Sequence, residues 1–363
     1  MNFDLDEIVI EEQCRPSPLA ARVTAACAGV PVRFTADARH DIRPDPNAAD
    51  PFGAGKRRMV VMNRRTPFLM ACPAGSSEFA CCGYLVMVLA SNCPMDCSYC
   101  FLQDYVADNP AFQVYANYAD AFDELERARR RVPGRALRVG TGELADSLAF
   151  DRITAISRDL VAYCASREGI LLELKTKTDE IDNLLAVDPG GRTLVSWSLS
   201  PERVFASSEK ATASPVERLR AARCVLDAGY RVGFHLDPII AYGDAERDYL
   251  ELLDQLFDFV SPSKISFISL GGLRMTPKLR SAARRRHAHD PMLCGEEVLA
   301  ADGRYRTFTP LRVSLFGALE RRIHAAGPAI LRYLCMEPAS IHRRVLGRPP
   351  AAPAAMGAAL ARH

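Results

Sequence analysis

From about residue 83 onward, short apolar runs alternate with longer amphipathic stretches. The runs are Gly83–Ala90, Ala136–Thr141, Ile170–Thr176, Thr193–Leu199, Arg231–Leu236 and Lys264–Leu270. Runs this short, apolar on both faces, predict strands buried in a parallel sheet. Between them, helical patterns cover Ala119–Arg131, Arg152–Ser166, Asp179–Leu185, Pro215–Ala228 and Ala245–Phe259. Six strands alternating with crossover helices predict an α/β fold, a partial (β/α)6 TIM-like barrel curled one way by the right-handed crossover rule. A doubly wound sheet fits the same alternation, and strand count alone does not choose between them.

The flanks read differently. Residues 1–80 form a small N-terminal α/β extension, with short strands at Ile8–Ile10, Val30–Phe34 and Met59–Met62 and a helix over Leu19–Ala28. The Pro-, Asp- and Gly-rich stretch Asp41–Lys56 reads as loop. Residues 81–272 make the barrel. Residues 273–345 alternate basic and apolar segments and read as a C-terminal cap. Residues 346–363 are low in complexity and read as a disordered tail.

Composition narrows the class without naming the chemistry. The 363 residues are 48% hydrophobic and 25% charged, ordinary for a soluble globular chain. The N-terminus is acidic, no apolar run is long enough to span a bilayer, and the twelve cysteines therefore read as reduced cytoplasmic thiols. A formal net charge of +2 gives no global nucleic-acid signature.

The chemistry begins at Ser-Asn-Cys-Pro-Met-Asp-Cys-Ser-Tyr-Cys-Phe-Leu-Gln, residues 91–103. Cys93, Cys97 and Cys100 have C-x3-C-x2-C spacing, with Tyr99 just before the last. Three thiolates on one loop can hold three irons of a four-iron, four-sulfur (4Fe-4S) cluster and leave the fourth open to a substrate. A structural zinc site wants a second ligand pair, and a ferredoxin-type site wants a fourth cysteine nearby. The next cysteine is Cys164. The spacing resembles the radical S-adenosyl-L-methionine (radical SAM) superfamily, in which the cofactor's amino and carboxylate groups occupy the open iron.

Candidate polar residues fall at strand ends, where parallel α/β folds build their sites. Gly140, Gly142 and Glu143 follow the second strand, resembling the Gly-Gly-Glu element that meets the methionine ammonium in radical SAM enzymes. Lys175 and Lys177 end the third strand on one face, and one of them is expected to face the pocket. Ser196, Ser198 and Ser200 end the fourth; His235 and Asp237 end the fifth. Gly271 and Gly272 end the sixth, where they could admit an adenine.

The resemblance extends further, to the spore photoproduct lyases. It is carried by Asn92–Gln103, Lys56–Pro73, Tyr115–Asp120, Leu174–Lys177, Val195–Ser198, Ala228–Phe234 and Tyr333–Glu337, and it covers about residues 8–345. It implies repair of the methylene-bridged thymine dimer in DNA. A 5′-deoxyadenosyl radical takes a hydrogen from C6, the bridge breaks, and a hydrogen is returned. It places Lys177 and Ser198 on cofactor contacts and Tyr99 on the tyrosine beside the cluster. It also implies an electron donor such as flavodoxin or ferredoxin.

One departure stands out. The lyases carry a hydrogen-donating cysteine just after the second strand, whereas Arg138–Asp146 contains none and Glu143 stands at or near that position. Phe101 also replaces a tyrosine. Tyr99 and Cys335 are the alternative donors. Nucleic-acid contacts are expected from Arg274 and Lys278, and from Arg304, Tyr305 and Arg306, where arginine interleaves with aromatics. Two other readings compete: a radical SAM enzyme of changed specificity acting on a peptide or small molecule, and a non-catalytic metal-binding module.

Overall fold

The computed structural model describes residues 4–72, 79 and 82–362. Pro73 and the expected boundary at 80/81 lie outside them. An eight-stranded sheet forms the half-barrel. In spatial order its strands are Leu331–Leu334, Ile265–Gly272, Arg231–Ile239, Thr193–Ser198, Ile170–Thr176, Leu137–Gly140, Leu85–Met87 and Leu69–Ala71. All neighbours are parallel except the last pair. The six expected strands are present in chain order, and two short edge strands extend them. One of these, Leu331–Leu334, comes from the segment expected as cap.

A second sheet holds Val32–Thr35, Glu7–Glu11, Arg58–Met62, Phe112–Tyr115 and Ala90–Ser91. The chain thus leaves the barrel after Met87, adds Ala90–Ser91 at the edge of this sheet, makes the cysteine loop, and returns through Phe112–Tyr115. Both flanks of the loop are thereby fixed to one sheet, where Ala90–Ser91 and Phe112–Tyr115 pair antiparallel.

Helices start and stop where local chemistry dictates. Pro215–Asp227 opens with a capping box: Ser214 Oγ accepts the Glu217 N–H, and the Glu217 carboxylate accepts the Ser214 N–H. The expected helix Arg152–Ser166 is broken into Asp151–Thr154 and Ile156–Ala165 by Ala155 at φ 50°. The Asp151 carboxylate accepts the Ser157 N–H (2.9 Å) across the break, capping the second helix. Among the described residues no helix is long and apolar enough to cross a membrane.

Strand alternation layers the barrel interior. At the bottom, Leu171, Leu194, Phe267 and Tyr333 cluster with Met356 and Leu360. The last two belong to helix Pro353–Arg362, in the tail that composition marks as disordered. Four-residue spacing puts Met356 and Leu360 on one helix face, and burying that face closes the barrel floor. Leu360→Ala is expected to lower unfolding free energy by about 2–4 kcal/mol, read as a lower midpoint in urea denaturation.

Candidate functional site

Asn92 turns the chain into the cysteine loop at φ 70°, a left-handed conformation asparagine tolerates. Its Oδ1 accepts the Cys93 N–H (2.8 Å). Asp96–Cys97 pairs antiparallel with Glu209–Lys210, setting Cys97 opposite Glu209. Buried Lys56 donates to the Met95 carbonyl and to Asp96 (3.2 Å). Arg286 donates to Asp96 (3.0 Å), Asp50 (2.8 Å) and Gln103 Oε1 (2.7 Å). Gln103 in turn donates to the Ser98 and Cys100 carbonyls at 2.8 and 3.2 Å. The Ser98 and Ser208 hydroxyls both reach Asp290. The loop is therefore held in shape by its surroundings.

Cys93 and Cys97 are buried and Cys100 is partly exposed. Burial, helped by Asp146, pushes the Cys93 thiol up to about 12. Burial pushes Cys97 well above the usual thiol range, with Lys177 opposing and Glu209 reinforcing. Such thiols ionise when a cation binds them. Among the described residues no three His, Cys, Asp or Glu side chains converge on a single ion. A cubane does not require that convergence, because it spreads three sulfurs over three irons. The donor set, three soft sulfurs on one braced loop, fits a 4Fe-4S cluster.

Beside the loop, the Lys177 ammonium lies 5.7 Å from the Tyr99 ring centroid. The Tyr99 hydroxyl donates to Glu209, which also accepts from Ser200 Oγ (2.8 Å) and Arg218. Burial opposes the Glu209 charge, yet Arg218 and Lys177 hold its carboxyl down at about 2. Arg218 is fully buried and donates to the Ser198 and Ala213 carbonyls, both at 2.8 Å. Asp146 joins two strand ends: it accepts from Thr176 Oγ1 (2.8 Å) and the Lys177 N–H (2.7 Å), as well as from Leu148 N–H.

Midway down the lumen, Glu173 accepts from Arg138 Nε (2.7 Å) and Ser196 Oγ (2.8 Å) and pairs with His235 Nε2 (3.0 Å). His235 Nδ1 meets Ser269 Oγ at 2.6 Å. Burial and then Lys175 lower His235 to about 4, so the ring is neutral at pH 7.

Nearer the mouth, Arg274 holds Asp237 through two bonds of 2.9 and 3.1 Å and reaches Cys335 Sγ (3.7 Å) and Met336 Sδ (2.9 Å). Burial works against the Lys175 ammonium, but Glu143 and Asp237 keep it above its ordinary range. Gly142 is required here, because a Cβ would lie 2.6 Å from Lys175 Cβ.

The structure therefore gathers Cys93, Cys97, Cys100, Tyr99 and Lys177 around the loop, with Gly142, Glu143, Lys175, Asp237 and Cys335 at the mouth. Ser198 is buried, with its carbonyl taken by Arg218. His235 lies among the interior network rather than at the rim. Two expected nucleic-acid contacts are placed differently. Arg274 is half-buried and paired with Asp237 (2.9 Å), and Arg306 is buried against Asp302 (2.6 Å) and Glu337 (3.7 Å). Both are spent on ion pairs, because alternation along a short hairpin turns every second side chain inward. Lys278, Arg304 and Tyr305 stay near the surface. Lys278 pairs with Asp104, and Arg280 lies 4.5 Å from the Tyr305 centroid. Pro277, Arg280, Ser281, Arg284, Arg285 and Tyr305 line a shallow basic depression there. Sequence reasoning missed Arg138, Asp146, Glu173, Glu209 and Arg218. The signal for Glu173 was present, since alternation puts it on the face of Lys175.

A half-barrel with a three-cysteine loop at its mouth defines the radical SAM class. Residues 3–280 match the family model described as "Spore photoproduct lyase", and the chain belongs to that family. It is 25% identical over 240 residues to the spore photoproduct lyase of Clostridium acetobutylicum, covering 66% of this chain and 69% of that protein. To the one of Geobacillus sp. it is 31% identical over 205 residues, covering 55% and 57%. The alignments thus span between about half and two thirds of these relatives. A solved spore photoproduct lyase complexed with dinucleoside spore photoproduct superposes with a TM-score of 0.80 at 22% identity, over 92% of this chain and 100% of that one. A mutant lyase with bound AdoMet and the same dinucleoside gives 0.79 at 23% identity, over 92% and 99%. At these identities the likeness establishes the fold.

Proposed function

We propose that this protein is a radical SAM lyase that repairs the methylene-bridged thymine dimer in DNA. The observation that carries the reading is the braced three-cysteine loop facing a charged half-barrel mouth, in a chain of the spore photoproduct lyase family. A 4Fe-4S cluster held by Cys93, Cys97 and Cys100 would supply the electron that cleaves S-adenosyl-L-methionine into methionine and a 5′-deoxyadenosyl radical. The electron would come from a donor of the flavodoxin or ferredoxin kind in the cytoplasm.

This chain's residues do the rest. Glu143, beside Gly142, receives the methionine ammonium. Lys177, already lying over Tyr99, faces the carboxylate. Gly140 and Ser198 lie on the two adjoining strand ends. His235 and Asp237, through Glu173 and Arg274, hold the lumen charges fixed while the substrate carbon is kept close to the radical. The Glu209–Arg218 pair sets the Tyr99 ring against the loop. Cys335, beside Arg274, borders the same space.

Lesion-bearing DNA docks on Lys278, Arg284, Arg285, Arg304 and Tyr305, and the damaged nucleotides flip toward the mouth. Lys278→Ala and Arg285→Ala are expected to weaken binding regardless of sequence and to reduce the salt slope by about one per residue. Fluorescence-anisotropy titration at several salt concentrations checks this.

A second reading, a radical SAM enzyme acting on a peptide or small molecule, is favoured by the absence of a cysteine from Arg138–Asp146. 5′-Deoxyadenosine formation in the reduced, reconstituted protein separates the two readings. Stimulation by DNA carrying the dimer, but not by undamaged DNA, supports repair. Equal rates with and without the lesion favour the second reading.

A further inference from the structure

Arg138 and Gly140 share the inward face of strand Leu137–Gly140. A Cβ at Gly140 would lie 1.8 Å from Tyr84 Oη and 2.4 Å from its Cζ. The missing side chain makes room for the Tyr84 phenol inside the lumen. The Arg138 guanidinium stands 5.2 Å from the Tyr84 centroid and also faces Phe267 and Tyr333. Tyr84 is only 8% exposed, and its hydroxyl has no hydrogen-bond partner among the described residues.

Every other buried phenol described is engaged. Tyr99 donates to Glu209, Tyr230 to the Leu184 carbonyl, and Tyr249 accepts the Ile240 N–H. Tyr333 accepts from Arg138, and Tyr115 reaches Gln113. An orphaned buried hydroxyl costs free energy that a bound ligand can offset. Burial, with Glu173 and Glu143 adding to it, raises the phenol well above its ordinary range, so it keeps its hydrogen.

The place is chemically apt. Tyr84 packs on the strand end that leads into Glu143, in a stretch, Arg138–Asp146, that holds no cysteine. A carboxylic O–H bond is too strong to give up a hydrogen atom, but a phenolic one is weakened by delocalisation of the radical over the ring. Cys335 is the competing thiol, and its sulfur already faces the Arg274 guanidinium at 3.7 Å.

We propose that Tyr84 is the hydrogen-atom donor that completes the reaction, an assignment resting on the lyase reading above. When the bridge breaks, one thymine keeps a methylene radical. The Tyr84 O–H bond breaks homolytically, a C–H bond forms, and the methylene becomes the thymine methyl group. The phenoxyl radical left behind is returned to phenol by one electron from the same low-potential donor that serves the cluster and one proton from solvent.

Single turnovers of the reconstituted protein in D2O, with an oligonucleotide carrying the dimer, test this. The wild type is expected to place one deuterium in the restored methyl group. Tyr84→Phe keeps the ring that fills the space over Gly140. It should still form 5′-deoxyadenosine and consume the dimer, while thymine yield and label fall about tenfold or more. Equal loss of 5′-deoxyadenosine and thymine would show a structural role and overturn the proposal. Unchanged label in Tyr84→Phe, or label abolished by Cys335→Ala alone, would also overturn it. A wild type that leaves the dimer intact would instead sink the lyase reading, and the donor role with it.

Discussion

Cys97→Ala protein, reconstituted anaerobically, is expected to lose its bound iron and sulfide and to form no detectable 5′-deoxyadenosine. The wild type should carry about four irons per chain. Cys97 is paired across to Glu209 and flanked by Lys177, so its sulfur sits between the loop and the polar groups of the mouth. With one thiol gone, two ligands remain on a loop whose shape is fixed by Lys56, Gln103 and Arg286. Cys164→Ala is the control. That thiol is also buried and pushed up to about 12 by burial, but it lies on helix Ile156–Ala165. Its loss should leave iron content unchanged. Iron, sulfide and product assays on both variants decide the matter.

The second large effect is expected at Arg218. Arg218→Met should cost about 3–5 kcal/mol of stability, because it leaves the buried Glu209 carboxylate without its cation. It also loosens the strand opposite Cys97 and the hydroxyl anchor of Tyr99. Chemical denaturation measures the loss. Acid adds a signature. Glu209 titrates near 4.5 when unfolded and about 2 when folded, so its contribution is fully present above about 4.5 and disappears as pH falls toward 2. Glu209→Gln should flatten the stability curve across that window. His235 acts in a neighbouring one: its folded value of about 4 lies below the ordinary 6.5, so stability declines as pH falls from 6.5 toward 4.

Much of this was readable locally. The six barrel strands announced themselves because continuous apolar runs bounded by turns have few alternatives. The cluster loop was legible because its ligands lie within eight consecutive residues, 93–100. What escaped was non-local or short. Leu331–Leu334 and Leu69–Ala71 are strands of four and three residues, too brief to show a period. Arg138 and Glu173 are 35 residues apart, and nothing in either neighbourhood announces the other. Arg274 and Arg306 looked like phosphate contacts because an arginine-rich stretch does not say which face each side chain takes. The tail misled by composition: alanine and proline suggest disorder, but Met356 and Leu360 suffice to dock a helix once the barrel offers a floor.

The most direct test is product analysis. Reduced, cluster-loaded protein would be incubated anaerobically with S-adenosyl-L-methionine and the dinucleoside form of the methylene-bridged dimer, and the products separated by chromatography with mass detection. Restored thymidine accumulating as the dimer disappears is the predicted result. 5′-Deoxyadenosine accumulating beside an untouched dimer would contradict the repair function.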